Sequence, residues 1–125
     1  MYQKLIIVGN LGRDPEMKYL PDGNAVTDFT VATSRKVKGE KETTWFHVSV
    51  WGKQAESCNQ YLGKGSKVLV EGRLSADENG NPKIFKRSDG SSGSSFEVRA
   101  DSVQFLSSKG ETVPSEPAFS DDIPF

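Results

Sequence analysis

Residues Thr44-Trp45-Phe46-His47-Val48-Ser49-Val50-Trp51 alternate with a period of two, the pattern of a half-buried β-strand. Successive side chains of a strand point to opposite faces, so the even and odd positions separate. Thr44, Phe46, Val48 and Val50 make a face suited to a core, and Trp45, His47, Ser49 and Trp51 make a second face that is polar in the middle with an indole at each end. On a straight strand the two indoles stand roughly 20 Å apart. That is too wide for one small-molecule pocket and suits a track of flat, repeated units.

The rest of the chain supplies partners for this strand. Leu5-Ile6-Ile7-Val8 is an unbroken apolar run, as expected of a strand buried on both faces or forming part of a subunit contact. Gly9-Asn10-Leu11-Gly12 after it lacks the lysine and hydroxyl of a phosphate loop and predicts a turn. Asp14-Pro15 and Pro21-Asp22-Gly23-Asn24 predict further turns around a short extended piece, Met17-Lys18-Tyr19-Leu20. Residues 25–33 predict a second strand with Phe29 and Val31 inward and Asp28, Thr30 and Ala32 on the other side. Residues 34–42 predict a base-rich loop, either an ordinary solvated hairpin or a flexible finger that closes over a phosphate backbone.

Ala55, Cys58 and Leu62 at helical intervals, with Tyr61 bordering them, predict one helix over residues 52–62, ended by Gly63-Lys64-Gly65. Residues 67–74 alternate again, with Val68, Val70 and Leu74 inward and Lys67, Glu71 and Arg73 outward. Two turn signals, Asn79-Gly80-Asn81-Pro82 and Ser88-Asp89-Gly90-Ser91, enclose Lys83-Ile84-Phe85-Lys86-Arg87. Residues 96–100 form a last strand, and Val103, Phe105 and Leu106 finish it after a change of phase that suggests a bulge. The expected fold class is all-β: a five-stranded OB-fold barrel with one helix between strands three and four and a disordered acidic C-terminal tail. Another small barrel, or an α+β domain with a flat sheet, competes on element order alone.

Composition narrows the chemistry. One cysteine allows no internal disulfide, and Cys58 with the single histidine is too few ligands for a structural zinc, so no metal and no cofactor is expected. No apolar run approaches the ~20 residues of a membrane span, and no signal sequence precedes the first strand, so the expectation is a soluble cytoplasmic protein, nucleoid-associated and without a membrane partner. Residues 1–110 hold all 16 Lys and Arg against 13 Asp and Glu, a balance of +3, whereas residues 111–125 hold four acids and no base. The net charge of −1 thus conceals a mildly basic body and an acidic end. With no carboxylate pair at an evident spacing and no nucleophile elbow, an enzyme is not expected, and a small metal-dependent nuclease ranks third among the readings.

Binding single-stranded nucleic acid needs only a basic groove and stacking platforms, each stacked base contributing ~1–3 kcal/mol. Trp45 and Trp51 are the platforms, with Phe85 as a third candidate on the enclosed basic segment. The phosphate-contact candidates are Arg35, Lys36, Lys38, Lys41, Lys53, Lys67, Arg73, Lys83, Lys86 and Arg87. The blander account packs the tryptophans under loops or at a subunit contact.

Several segments, in order along the chain, resemble the bacterial single-stranded DNA-binding protein family. They are residues 8–16 (Val-Gly-Asn-Leu-Gly-Arg-Asp-Pro-Glu), Thr44-Trp45 through Trp51-Gly52-Lys53, Tyr61-Leu62-Gly63-Lys64-Gly65-Ser66, Val70-Glu71-Gly72-Arg73-Leu74 and the terminal Asp121-Asp122-Ile123-Pro124-Phe125. The resemblance implies an OB barrel over residues 1–106 that coats single-stranded DNA without sequence preference. It also implies a homotetramer, with a homodimer as the alternative. By position, Trp45 and Trp51 match stacking aromatics, His47 stands where relatives often have a basic side chain, and Lys53 and Lys64 match positions near the DNA path. Relatives commonly carry a tryptophan where this chain has Val37 and an aromatic in the long hairpin, for which only Phe85 is available here. Phe46 replaces a polar residue often found near the family's subunit contact.

Residues 107–120 are expected to be a disordered linker and 121–125 a partner-binding tip. In that tip Phe125 offers a ring and the terminal carboxylate, Ile123 apolar contact, Pro124 restraint, and Asp121 and Asp122 steering toward a basic rim. The implied partners are replication, repair and recombination proteins. The competing function is an OB-fold adaptor that holds proteins together and touches nucleic acid weakly.

Overall fold

Alternating apolar positions give five segments one face each to bury, and those five close on themselves. The computed structural model describes residues 1–107. Its elements in order are β1 (Leu5–Leu11), β2 (Glu16–Tyr19), β3 (Ala25–Val37), β4 (Glu40–Trp51), α1 (Lys53–Tyr61), β5 (Lys67–Leu74), β6 (Ile84–Lys86), β7 (Ser92–Ser94) and β8 (Phe96–Phe105). The large sheet runs β1-β5-β8-β4-β3-β2, and a further β1–β3 pairing seals it into a five-stranded barrel with β2 outside. β4 and β8 run parallel, while the other pairs in the barrel are antiparallel. With α1 between the third and fourth barrel strands, this is the OB-fold layout. Residues 108–120 of the expected linker and the tip Asp121–Phe125 lie outside the described residues.

The core is built from the inward set. Phe29, Val31, Val48, Val50, Val68, Val70 and Val98 are buried to 1% exposure or less, and Cys58 and Leu62 of the helical segment pack with them. Each such aliphatic side chain contributes about 1.5–3 kcal/mol by leaving water. The helix is seated by a buried hydroxyl: Thr27 Oγ1 donates to the Ala55 carbonyl at 2.6 Å. Tyr61 stays half exposed and tilts against Phe105, with ring centroids 6.1 Å apart.

Three local expectations change. Gly9-Asn10-Leu11 is strand and not turn, because β1 passes there from its β5 partner to its β3 partner. The glycine serves close approach: a β carbon on Gly9 would lie 2.2 Å from the Ala32 carbonyl oxygen. The base-rich loop is a two-stranded ribbon in register from Val26–Trp51 to Val37–Glu40. Only Lys38 (φ 52°) and Gly39 (φ 82°) turn, the two positive-φ positions of a tight hairpin. Cross-strand partners hold it open, with Ser34 and Thr43 hydroxyls 3.1 Å apart and Arg35 paired to Glu42 at 3.2 Å. Leu74 shares the core-side register with its partner Val98 but is 53% exposed, since β5 has run past the end of the barrel.

The phase change in β8 is a bulge. Glu71 pairs with Ser102 and Gly72 with Ala100, which leaves Asp101 as the extra residue. Gln54 of α1 satisfies the freed backbone, donating to the Asp101 carbonyl at 2.9 Å and accepting from the Val103 N–H at 3.0 Å.

Candidate nucleic-acid interface

The odd face of β4 lies outside the barrel between β3 and β8. Pairing sets its rows: Asp28, Ser49, Arg99 and Arg73 across four strands, then Thr30, His47 and Glu97 across three, then Ala32 beside Trp45. Trp45 is 53% exposed and Trp51 36% exposed, whereas Val48 and Val50 between them are buried. Both indoles are therefore offered outward on one strand, Trp45 near its middle and Trp51 at its end.

Each indole has a specific support. Trp45 lies over Gly12, where a β carbon would stand 2.4 Å from Trp45 Cζ3. Trp51 carries the Arg99 guanidinium over its ring, 4.3 Å from the centroid, a cation–π contact. Such contacts restrict the side chains before anything binds, which lowers the entropy that binding must spend on ordering them.

The middle of the face is a polar network. His47 Nδ1 is 3.0 Å from Glu97 Oε2, and its Nε2 is 3.9 Å from Asp28 Oδ1. Ser49 donates to Asp28 at 2.6 Å, and Ser95 donates to Glu97 at 2.5 Å. Partial burial pushes the Glu97 carboxyl up, but the Ser95 hydroxyl, His47 and, more weakly, Lys83 outweigh it and leave the pKa below its ordinary value. His47 is thus bracketed by two carboxylates and does not stand alone as a basic group.

The other sequence-predicted residues fall into three places. Arg35, Lys36, Lys38 and Lys41 lie on the β3–β4 ribbon, where Arg35 is engaged by Glu42 and Lys36 stands opposite Lys41. Lys83 precedes β6, and Phe85 and Lys86 lie on it; Arg87 follows, donating to the Ser92 carbonyl at 2.6 Å and covering the Phe85 ring at 5.5 Å. Arg73 joins the indole-bearing face through its pairing with Arg99. Lys53 opens α1, Lys64 lies between α1 and β5, and Lys67 opens β5, so these three are outside the rows of that face.

Sequence reasoning missed Arg99, Gly12, Glu97 and Phe96. The alternation of β8 marks Glu97 and Arg99 as outward, but only the parallel β4–β8 pairing puts them beside His47 and Ser49. Phe96 is 59% exposed and tilts against Phe46, with centroids 5.8 Å apart. Cys58 takes no part, because burial pushes its thiol up to about 12. Among the described residues no group of three His, Cys, Asp or Glu is placed to hold a metal ion, and no helix is long and apolar enough to cross a membrane.

The profile of the single-strand binding protein family matches residues 2–106. A single-stranded DNA-binding protein of Wolinella succinogenes is 44% identical over 115 residues, covering 88% of this chain and 67% of the relative. Proteins of the same name from Helicobacter hepaticus (41% identical, 87% and 64%) and Halalkalibacterium halodurans (40%, 88% and 64%) match as well. The chain spans about two thirds of the length of these relatives. A match over nearly all of the barrel, at such identity, places the chain: it belongs to the single-strand binding protein family.

Proposed function

We propose that this chain is a non-enzymatic, sequence-independent single-stranded DNA-binding protein that coats and protects the strand. The observation that carries it is the pair of outward indoles, Trp45 and Trp51, on one polar strand face in an OB barrel. Every base has a π-face, so stacking on Trp45 and Trp51 is indifferent to sequence. Arg73, Lys83, Lys86 and the cations of the β3–β4 ribbon supply phosphate contacts, with His47 a polar contact and Phe85 a third platform. Lys53, Lys64 and Lys67 extend the path beyond the face.

Residues 1–106 form the DNA-binding unit, 107–120 the linker and 121–125 the tip that recruits replication, repair and recombination proteins. Ile6 and Val8 on the outer side of β1 are 57% and 44% exposed, an apolar stripe suited to self-association as a tetramer or dimer.

Titration with oligo-dT tests the reading. The expected result is strong quenching of Trp45 and Trp51 with sub-micromolar affinity that falls as salt rises. Trp51→Ala should keep the fold, since the indole points outward, and weaken binding by about 1–3 kcal/mol. Absence of quenching in the parent would favour the adaptor, and metal-dependent loss of the oligonucleotide a nuclease.

A further inference from the structure

The β5–β8 ladder sets two arginines directly opposite each other, Arg73 on β5 and Arg99 on β8. Opposite residues of an antiparallel pair have β carbons about 4.5–5.5 Å apart, and like charges there destabilise the sheet. Both side chains are exposed and share the face of Ser49 and Trp51, with the Arg99 guanidinium 4.3 Å from the Trp51 ring centroid. Among the described residues neither arginine forms an ion pair with a carboxylate. The acids that neighbour them on this face are already engaged. Asp28 accepts from the Ser49 hydroxyl at 2.6 Å. Glu97, two residues before Arg99, accepts from Ser95 at 2.5 Å and lies 3.0 Å from His47. Glu71, two residues before Arg73, pairs with Lys4 at 3.2 Å.

The geometry points to Arg73 and Arg99 as a clamp on the phosphate backbone of single-stranded DNA at the Trp51 end of the face, with Arg99 a DNA contact in its own right. The inference rests on the single-strand reading above and deepens it, by adding Arg99 and giving the backbone a fixed place beside one indole. A phosphate between the two guanidinium groups replaces their mutual repulsion with two attractions. The planar fork of N–H donors on each arginine matches phosphate oxygens and can engage them in pairs. An indole has no acceptor oxygen, so the contact with Trp51 orders Arg99 and leaves its donors in need of one. Ordering in advance lowers what binding must spend on the side chain. Because the adjoining ring suits a base, the anion that fits here is one that carries a base.

The test uses the full chain in oligo-dT titrations over a range of salt, comparing the parent with Arg73→Gln, Arg99→Gln and Arg99→Lys. All three side chains remain polar at exposed positions, so the barrel is retained. Each glutamine variant should lower the slope of log affinity against log salt by about 0.7, the loss of one phosphate contact on a single strand. For Arg99→Gln that is a gap of about 25-fold at ~0.01 M salt, narrowing to about fourfold at ~0.15 M and closing near 1 M. Arg99→Lys should keep the parent's slope, because it keeps the charge. Indole quenching should persist in every variant. If quenching is normal but Arg99→Gln keeps the parent's slope and binds within twofold of it at ~0.01 M, the clamp is overturned and the stacking track stands. If Arg99→Gln is weaker by the same factor at every salt, Arg99 only supports the Trp51 ring and the clamp is again overturned. A parent that shows no quenching overturns both readings.

Discussion

At Gly12 any side chain would collide with an indole, since a β carbon stands 2.4 Å from Trp45 Cζ3 and 3.1 Å from Thr30 Oγ1. A residue expected to belong to a turn therefore acts as the floor beneath the Trp45 indole. Arg99 does the converse for Trp51 by covering part of its ring from above. The two indoles and their outward direction were legible from alternation alone, because a period of two assigns faces without any knowledge of neighbours. Their supports were not, because Gly12 and Arg99 reach them through pairings that link positions far apart in the chain. Glu97 belongs to the same hidden layer. Its pKa is lowered on folding, so it contributes stability that is fully present above the ordinary value of 4.5 and is lost as pH falls through the lowered one. Glu97→Gln should therefore be less stable than the parent near neutral pH, and the gap in urea midpoint should close as the solution is made more acid than about pH 4.5. A gap that stayed constant across that range would show that the Ser95 and His47 contacts do not favour the charged carboxylate.

Among the elements, β5 and β8 show how far a periodic pattern carries. Their inward residues and the bulge could be anticipated from a change of phase, but the exposure of Leu74 could not, because period reports side and not depth along the barrel axis. The β3–β4 ribbon was hidden for a different reason. Its charged residues alternate without an apolar face, so only cross-strand pairing and the Lys38-Gly39 turn make it a strand pair. Gly72 is the position where β5 and β8 can least accommodate change. A β carbon there would lie 2.2 Å from the Arg99 carbonyl oxygen, a backbone atom fixed by the ladder on both sides. Gly72→Ala should force the two strands apart beside the bulge and destabilise the barrel by about 3 kcal/mol or more, at the high end for single substitutions. Because Arg99 moves with its backbone, the variant should also disturb the environment of Trp51. Urea unfolding followed by indole emission measures both, and a midpoint equal to the parent's would mean that β8 can yield where the ladder implies it is rigid.

For the whole molecule the informative quantity is the division of charge. Sixteen bases against 13 acids in residues 1–110 leave a body at +3, and the four acids of residues 111–125 more than cancel it, to −1. The balance understates the contrast at the site. Residues 34–43 carry Arg35, Lys36, Lys38 and Lys41 against Glu40 and Glu42, and residues 83–94 carry Lys83, Lys86 and Arg87 against Asp89, so each projection holds a net +2. We expect the acidic segment, tethered to the same chain, to compete with a phosphate backbone for that field. The competition is one of screened charges. At about 0.01 M salt the Debye length is near 30 Å, long enough for a tail to act across the body, whereas at about 0.15 M it is near 8 Å and most of such an effect is screened. Deleting residues 111–125 should therefore tighten oligo-dT binding by roughly two- to tenfold at the lower salt, with the two titration curves converging at the higher. The truncated chain should also show a steeper salt dependence, because cations released from the tail are then free to displace counterions from DNA. Equal affinities at low salt would mean that the acidic segment does not reach the groove and that its charge acts only on other partners.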